Sequence, residues 1–465
     1  MERVVMARRL GCPLPSARPW RNRRFYAAFA QQTPELRQWV EKNGGYVSPG
    51  IELTQDGQSG LGLRTSQWIP QGQTVISLPS HLPLGMHSGE TNDDAKEIIQ
   101  SIASRVPGVN MDTGWSRCGR GALGITASLQ YPPLIYQVKK RCKVLYELST
   151  RDIPAVLETC QGEKHPFAGQ QVDGGALGWA MSAVSSRAFR LQNKKSGDSE
   201  RVLLPLIDMC NHSFAPNARL EQIPTADNSD YKLQVVAESS LESGTPLSLN
   251  YGALSNDLLL LDYGFIVVDN PYDRVELKYD PSLLEVACMA GGLSSQGLPS
   301  FASPAPWQQA LLAQLRLQGA GASLLVTLGG PEIVDGRLLA ALRILYAGEA
   351  SELRHQDLKE LQLWTPQPPL GFVNERNVLR TLAALAALVL ARSFATTAEE
   401  DRELLGTAKY ASNQQLIVGY RLEKKQMLLD VVVKLKDRLK RLKADGKIGP
   451  IGVQDVSARK GKGFG

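Results

Sequence analysis

The sequence predicts an α+β protein whose first part is β-rich and whose second part is helical. Three observations lead there. Near residue 272 the chain changes character. Before that point, short alternating and β-branched runs are separated by Gly and Pro; after it, apolar residues recur at the 3.6-residue period of helices. The length of 465 residues, with 43% hydrophobic and 21% charged, leaves room for two or three ordinary cores. It excludes a disordered, collagen-like or disulfide-scaffold chain.

In the first part, Gly60-Leu61-Gly62-Leu63 and Thr74–Pro79 flank a Pro70-Gln71-Gly72 turn, which predicts a hairpin of half-buried strands. Leu134–Leu148 and Leu177–Phe189 predict helices. Arg201–Ile207 predicts a strand ending at Asp208. Tyr231–Ala237 and Pro246–Tyr251 alternate on either side of a Glu242-Ser243-Gly244-Thr245 turn and predict a second strand pair. In the second part, Trp307–Leu317, Gly336–Tyr346, Asn374–Phe394 and Gln414–Leu442 predict helices, and Thr397-Ala398-Glu399-Glu400 is a capping box. The most apolar stretch is Leu379–Phe394. Arg380 and Arg392 bracket only 11 uncharged residues there, and a membrane span needs about 20. It reads as a buried core helix, and no membrane partner is expected. Val106–Gln130 has no clear period, and no internal repeat is visible.

Charge is concentrated at the ends. The chain holds 52 Lys+Arg and 46 Asp+Glu. Residues 1–30 carry seven Arg and one acid, and residues 434–465 carry ten bases and three acids. The stretch 31–433 keeps 35 bases against 42 acids, so the body is acidic and no nucleic-acid partner is expected. The run Lys434–Lys443 reads as a solvated helix face. The Arg-rich, acid-poor residues 1–30 lack a long apolar segment, which fits an organelle transit peptide and not a secretory signal. The six Cys form no CxxC pair and the five His show no metal spacing, so no metal site is expected and the cysteines read as buried thiols of a reduced compartment.

Four islands carry candidate chemistry: Ser59-Gly60-Leu61-Gly62-Leu63, Ser185-Ser186-Arg187-Ala188-Phe189, Asp208-Met209-Cys210-Asn211-His212-Ser213, and Tyr251-Gly252-Ala253-Leu254-Ser255-Asn256 followed by Asp262-Tyr263-Gly264-Phe265. Singly each is weak. A GxG is commonly a plain turn, an Asn-His pair commonly ends a strand, and sheet tyrosines are commonly half-buried packing. The first island is neither GxGxxG nor a P-loop.

In order and together, the islands resemble the SET-domain methyltransferases, specifically the group typified by the plastid Rubisco large-subunit lysine methyltransferase. Asp269-Asn270-Pro271-Tyr272-Asp273 and Thr396–Asp401 resemble that group's C-terminal substrate-binding domain, and the resemblance covers roughly 45–100 and 130–445. It implies a transit peptide over 1–30, a SET domain over 31–272 with a helical insert at about 95–185, an all-α substrate-binding domain over 273–445 and a basic tail over 446–465.

The implied activity is methyl transfer from S-adenosylmethionine to a lysine of a protein substrate in the chloroplast stroma, such as the Rubisco large subunit or fructose-bisphosphate aldolase. The mitochondrion is the alternative compartment, and a monomer is the expected state. A histidine target and a non-catalytic SET-fold scaffold of a plastid complex are the alternative functions. The task is to align nucleophile, methyl and sulfur and to present a neutral amine, since lysine's reference pKa is near 10.4.

By the same resemblance, Gly60, Leu61, Gly62, Arg187, Asp208, Asn211, His212, Tyr251 and Phe265 hold the cofactor, with Arg187 on its carboxylate and Phe265 on its adenine. Tyr251 is the catalytic tyrosine. Ser186, Arg187, Phe189, Asp208 and Tyr263 line the substrate channel, whose aromatic wall also suits a methylated ammonium. The chain departs from the family pattern twice. The family's helical stretch ending in a Ser-x-Trp-x-Pro-Tyr-type motif is replaced by the shorter Val106–Gln130, and Ser59 stands where an acidic residue usually precedes GLGL.

Overall fold

The computed structural model describes residues 33–56, 60–84, 128–158, 172–192, 199–225, 230–293, 301–353, 356–407 and 412–445. The expected transit peptide, Ser59, most of Val106–Gln130 and the basic tail lie outside them. The chain forms two compact units, one within Met1–Glu90 and Ala188–Tyr251, the other within Thr91–Arg187 and Gly252–Gly465.

The first unit opens with helix α1 (Thr33–Lys42). Its main sheet is antiparallel, in the order β1 (Tyr46–Val47), β4 (Thr74–Pro79), β9 (Tyr231–Ala237), β8 (Ala218–Pro224). Val75, Ile76, Leu78, Leu233 and Val235 are fully buried along it. Each such side chain contributes roughly 1.5–3 kcal/mol of burial. Two strand pairs flank the sheet: β2 (Ile51–Asp56) with β3 (Gly60–Thr65), and β5 (Ala188–Gln192) with β6 (Ser199–Leu203). β7 (Asn211–His212) and β10 (Ser248–Leu249) form a two-residue parallel pair.

Pairing differs from the sequence expectation in three places. Gly60–Leu63 and Thr74–Pro79 do not form a hairpin. The Pro70–Gly72 turn is present, but Ile69 pairs with Leu241 and draws the chain away, so β3 pairs with β2 and β4 with β1 and β9. Pro246–Tyr251 does not pair with Tyr231–Ala237; it runs beside β3 through the Leu247 N–H to Leu63 carbonyl bond and beside β7. The run from Arg201 leaves the strand after Leu203, and Ile207–Met209 is a 3₁₀ turn.

The second unit is helical: α2 (Pro132–Glu147), α3 (Ile153–Leu157), α4 (Gly174–Ser185), α5 (Pro281–Ala290), α6 (Pro306–Gln314), α7 (Gly336–Leu345), α8 (Gly371–Ser393), α9 (Ala398–Gly406) and α10 (Ser412–Asp445). The helix expected to run through Phe189 stops at Ser185, where Ser186 is its C-cap, and Phe189 lies in β5. Helix periodicity also concealed one antiparallel pair, β11 (Arg274–Lys278) with β12 (Leu325–Gly329). Thr397 and Glu400 cap α9 reciprocally. Leu129, Tyr131 and Leu134 share one apolar core with Leu382, Tyr420 and Leu428, so this stretch of the insert packs with the C-terminal helices.

Helix α10 buries Ile417, Arg421, Lys424, Leu428, Val431, Leu435, Arg438 and Leu442, a stripe with alternating steps of four and three. Its cations are compensated: Arg421 meets Asp401, Lys424 meets Asp257 and Asp273, and Arg438 lies over the Trp364 ring. Arg438 is thus buried, unlike the solvated face expected of Lys434–Lys443. Among the described cysteines, Cys210 and Cys288 are buried free thiols, whereas Cys142 is disulfide-bonded and departs from the expectation of unpaired thiols. Among the described residues no single helix is long and apolar enough to cross a membrane.

Candidate active site

The site of the first unit begins with two local backbone features. Gly60 carries φ +73, a left-handed conformation open to glycine, at the start of β3. Leu206 carries φ 68, which costs of order 1–3 kcal/mol for a residue with a side chain. That bend starts the 3₁₀ turn, with the Asp208 N–H donating to the Leu204 carbonyl at 2.9 Å. The turn delivers Asn211 and His212 into β7, beside β10.

A cleft of about 280 Å³ forms there, lined by Gly60, Gly62 and Leu63 of β3, by Asn211 and His212, and by Thr54, Asn217 and Thr245–Ser248. Among the described residues its lining carries no carboxylate or ammonium. Gly62 has no room for a side chain: a Cβ there would sit 2.5 Å from Asn211 Nδ2. Asn217 holds the opposite wall. Its Oδ1 accepts from the Ser248 N–H at 2.9 Å and the Ser248 hydroxyl at 3.2 Å, and its Nδ2 donates to the Pro246 carbonyl at 2.9 Å.

Tyr251 adjoins this cleft through His212. The two rings lie 5.0 Å apart at 36°, and Phe189 meets Tyr251 edge-on at 6.4 Å. The Tyr251 hydroxyl donates to the Cys210 carbonyl at 2.5 Å, and its backbone N–H donates to His212 Nδ1 at 3.2 Å. Burial lowers the His212 pKa from its usual 6.5, against a smaller opposing effect of the Leu249 backbone, so the imidazole is neutral at pH 7. Burial, reinforced by the Asp208 carboxylate, pushes the Cys210 thiol far up and keeps it protonated.

Of the residues named from sequence, Gly60, Gly62, Asn211 and His212 converge on the cleft, with Tyr251 tilted against His212 and Phe189 edge-on to Tyr251. Leu61 and Asp208 are not in its lining. Leu61 packs on the apolar core of the first unit. Asp208 sits on the buried 3₁₀ turn between Ile207 and Met209. Ser186, Arg187, Tyr263 and Phe265 belong to the second unit. Ser186 Oγ donates to the Ser182 carbonyl at 2.9 Å, and the Arg187 N–H to that of Val184 at 3.1 Å. The Tyr263 and Phe265 rings lie 6.0 Å apart at 62°, on either side of Gly264 at φ +79. Sequence reasoning missed Thr54, Asn217, Thr245 and Ser248. The alternation of Leu247, Ser248 and Leu249 marked Ser248 as opposite to the core; no spacing rule marks Asn217.

A SET-domain model matches residues 60–252, and a Rubisco LSMT substrate-binding model matches residues 299–428. The chain is similar to a solved structure of the SET domain of LSMT bound to lysine and AdoHcy, with a TM-score of 0.59 and 17% identity over 89% of this chain and 93% of that one. A structure of Rubisco LSMT bound to AdoMet gives a TM-score of 0.53, also at 17% identity, over 90% of this chain and 97% of that one. Among curated relatives, the Gallus gallus actin-histidine N-methyltransferase is 23% identical over 85% of this chain and 67% of its own length. The Danio rerio protein of the same name is 27% identical over 54% of this chain and 39% of its own length.

These two domains in this order define a SET fold carrying a helical substrate-binding domain. The chain belongs to the Rubisco LSMT-like family of SET protein methyltransferases.

Proposed function

We propose that this chain is an S-adenosylmethionine-dependent protein methyltransferase that modifies a side-chain nitrogen. The observation that carries the reading is the convergence of Gly60, Gly62, Asn211 and His212 on one uncharged cleft with Tyr251 tilted against His212. The cleft fits the cofactor by chemistry. Gly62 leaves room for the Asn211 amide in the cleft wall, and amide, hydroxyl and imidazole groups there offer donors and acceptors. At about 280 Å³ it sits near the lower end of small-ligand pockets, roughly 300–1,000 Å³. Bound there, the cofactor supplies a sulfonium methyl as electrophile.

The residues of this chain do the positioning. Gly60, Gly62, Asn211 and His212 hold the cofactor. The Tyr251 hydroxyl already donates to the Cys210 carbonyl, so its oxygen is fixed and keeps lone pairs for an incoming N–H. Fixing the nucleophile in line is worth several powers of ten in rate. Neutral His212 adds no positive charge that would oppose a developing cation.

The target is proposed as histidine, with lysine as the second reading. The curated relatives quoted above act on a histidine of actin by name, whereas one of the solved structures quoted is named as bound to lysine. The Arg-rich, acid-poor leader supports an organelle address, with the stroma first and the mitochondrion second.

The test incubates the full chain with methyl-labelled S-adenosylmethionine and, in separate arms, stromal extract and purified actin, beside Tyr251→Phe. Label on a discrete band, at least a hundredfold weaker in the variant, supports the enzyme. Mass spectrometry of that band names the substrate and separates histidine from lysine. A folded protein that neither binds the cofactor nor transfers label overturns this reading in favour of a scaffold. A fluorescent fusion of residues 1–60 tests the address; diffuse cytosolic signal sinks it.

A further inference from the structure

Tyr251 is gripped at two points by one short segment. Its hydroxyl bonds the Cys210 carbonyl, and two residues further along, His212 Nδ1 takes the Tyr251 backbone N–H at 3.2 Å. The imidazole is fixed in turn: it lies tilted against Tyr251 at 5.0 Å, and Phe214 meets it edge-on at 4.4 Å and 90°. An imidazole nitrogen accepts a hydrogen bond only while it carries no proton. Protonating Nδ1 would set two N–H groups against each other and release the tyrosine backbone.

We propose that His212 is a positioning residue for Tyr251, and that only its neutral form with Nδ1 free of hydrogen holds the tyrosine in its working place. Methyl transfer in this chain then has an acid limb contributed by the enzyme, besides the one that protonation of the target nitrogen contributes. The proton that ends the positioning comes from solvent, and no other reactant is needed.

The surroundings favour the neutral form. Burial lowers the His212 pKa from 6.5. The cleft wall beside it presents Thr54, Asn211, Asn217, Thr245 and Ser248, none of which ionises. The segment that carries His212 also holds the Cys210 thiol, kept protonated, and the Asp208 carboxylate on the preceding buried turn, while Glu52 and Arg64 of the neighbouring β2 and β3 pair with each other. Burial outweighs the opposing effect of the Leu249 backbone on His212.

The activity arm of the test rests on the methyl-transfer reading above; the spectroscopic arm does not. Full-length wild type, His212→Asn and His212→Leu are compared between pH 5 and pH 9. The asparagine Oδ1 stands where Nδ1 stands, accepts a hydrogen bond and does not titrate. Histidine ¹⁵N spectra, assigned by the loss of one of five His signals, are expected to show His212 Nδ1 unprotonated at pH 7 and titrating below 6.5. The Tyr251 amide shift is expected to follow the same curve. In wild type kcat falls about tenfold per pH unit below that titration, while KM for the cofactor changes less. His212→Leu loses at least a hundredfold in kcat. His212→Asn recovers at least tenfold of that loss and lacks the part of the acid limb that follows the His212 titration.

An Nδ1 that is protonated at pH 7, or an acid limb that persists unchanged in His212→Asn, overturns the proposal. Should His212→Leu not fold, His212→Asn and the spectra still decide it. Absence of methyl transfer from every protein, with Tyr251 still tracking the His212 titration, supports the contact and sinks only the methyl-transfer reading.

Discussion

The side-chain amide of Asn211 occupies the space that a Cβ on Gly62 would need, with Nδ2 2.5 Å from that position and Cγ 3.2 Å from it. The glycine of the first island and the asparagine of the third are therefore one packing unit, although 149 residues separate them in the chain. A methyl at position 62 displaces the amide from the cleft wall but leaves the surrounding sheet intact, because the obstructing atom ends a side chain. Gly62→Ala is expected to keep its melting temperature within a few degrees and to weaken S-adenosylmethionine binding tenfold or more, about 1.4 kcal/mol. Isothermal titration of the cofactor checks it; unchanged affinity would show that Asn211 does not set the wall.

How far the fold was legible follows from which signals are local. The capping box at Thr397 and the helices at Pro132–Glu147 and Gly336–Leu345 depend on residues three or four apart and could be read directly. Strand partners could not. Ile69 pairs with Leu241, and β10 pairs with β7 across 37 residues; no local pattern encodes either choice. The stripe of α10 shows the same limit. Arg421, Lys424 and Arg438 occupy positions of the apolar stripe because Asp401, Asp257, Asp273 and Trp364 meet them in space; the solvated face expected of Lys434–Lys443 holds at Lys434, Lys436, Lys440 and Arg441 and fails at Arg438. In the site, motif order named Asn211, His212 and Tyr251, whereas Asn217 belongs to no motif and acts through a strand 31 residues away.

Asn217 is the clamp of the cleft's second wall. Replacing it by Ala leaves the Ser248 N–H and the Pro246 carbonyl without that amide, each half-shielded from water. The cost of such unmade bonds is roughly 1–3 kcal/mol. Asn217→Ala is expected to lower the urea midpoint accordingly. Asn217→Asp keeps an acceptor for Ser248 but loses the donor to Pro246, and is expected to fall between Ala and wild type. An Asp variant less stable than Ala at pH 7 would contradict this account.

Arg343 and Glu375 form a fully buried pair in the helical unit, with two nitrogen–oxygen contacts of 2.9 and 2.8 Å. The guanidinium also donates to the carbonyls of Leu361 and Leu363 at 2.8 Å and lies 5.8 Å from the Trp364 ring centroid. Arg343→Met is expected to cost about 3–5 kcal/mol, since it strands a buried carboxylate. Adding Glu375→Leu removes that charge and is expected to restore only part of the loss, because the two carbonyls remain without a donor. Chemical denaturation of both variants measures it. Full recovery in the double variant would show that the carbonyl contacts add nothing.

Lys424 is a fully buried ammonium held by Asp257 and Asp273, each at 2.7 Å, and by the Arg274 carbonyl at 2.6 Å. The Tyr131 and Tyr420 ring centroids lie 5.8 and 5.6 Å from it. Burial alone would lower its pKa, but the two carboxylates outweigh burial and leave it above the usual 10.5. A proton bound more tightly in the folded chain than in the unfolded one stabilises the fold fully below the unfolded pKa. That contribution is lost as pH rises from 10.5 through the folded value. Tyr131 and Tyr420, raised chiefly by burial, act in the same sense above pH 10. Stability is therefore expected to be flat in this contribution from pH 8 to 10 and to fall beyond it. Lys424→Met is expected to cost about 3–5 kcal/mol at pH 8 by leaving two buried carboxylates unpaired, and to make the alkaline decline shallower without abolishing it. Urea midpoints at pH 8, 9.5 and 11 decide the matter: parallel declines in the variant and the wild type would mean that the lysine carries no part of the alkaline loss, which would then rest on the two phenols.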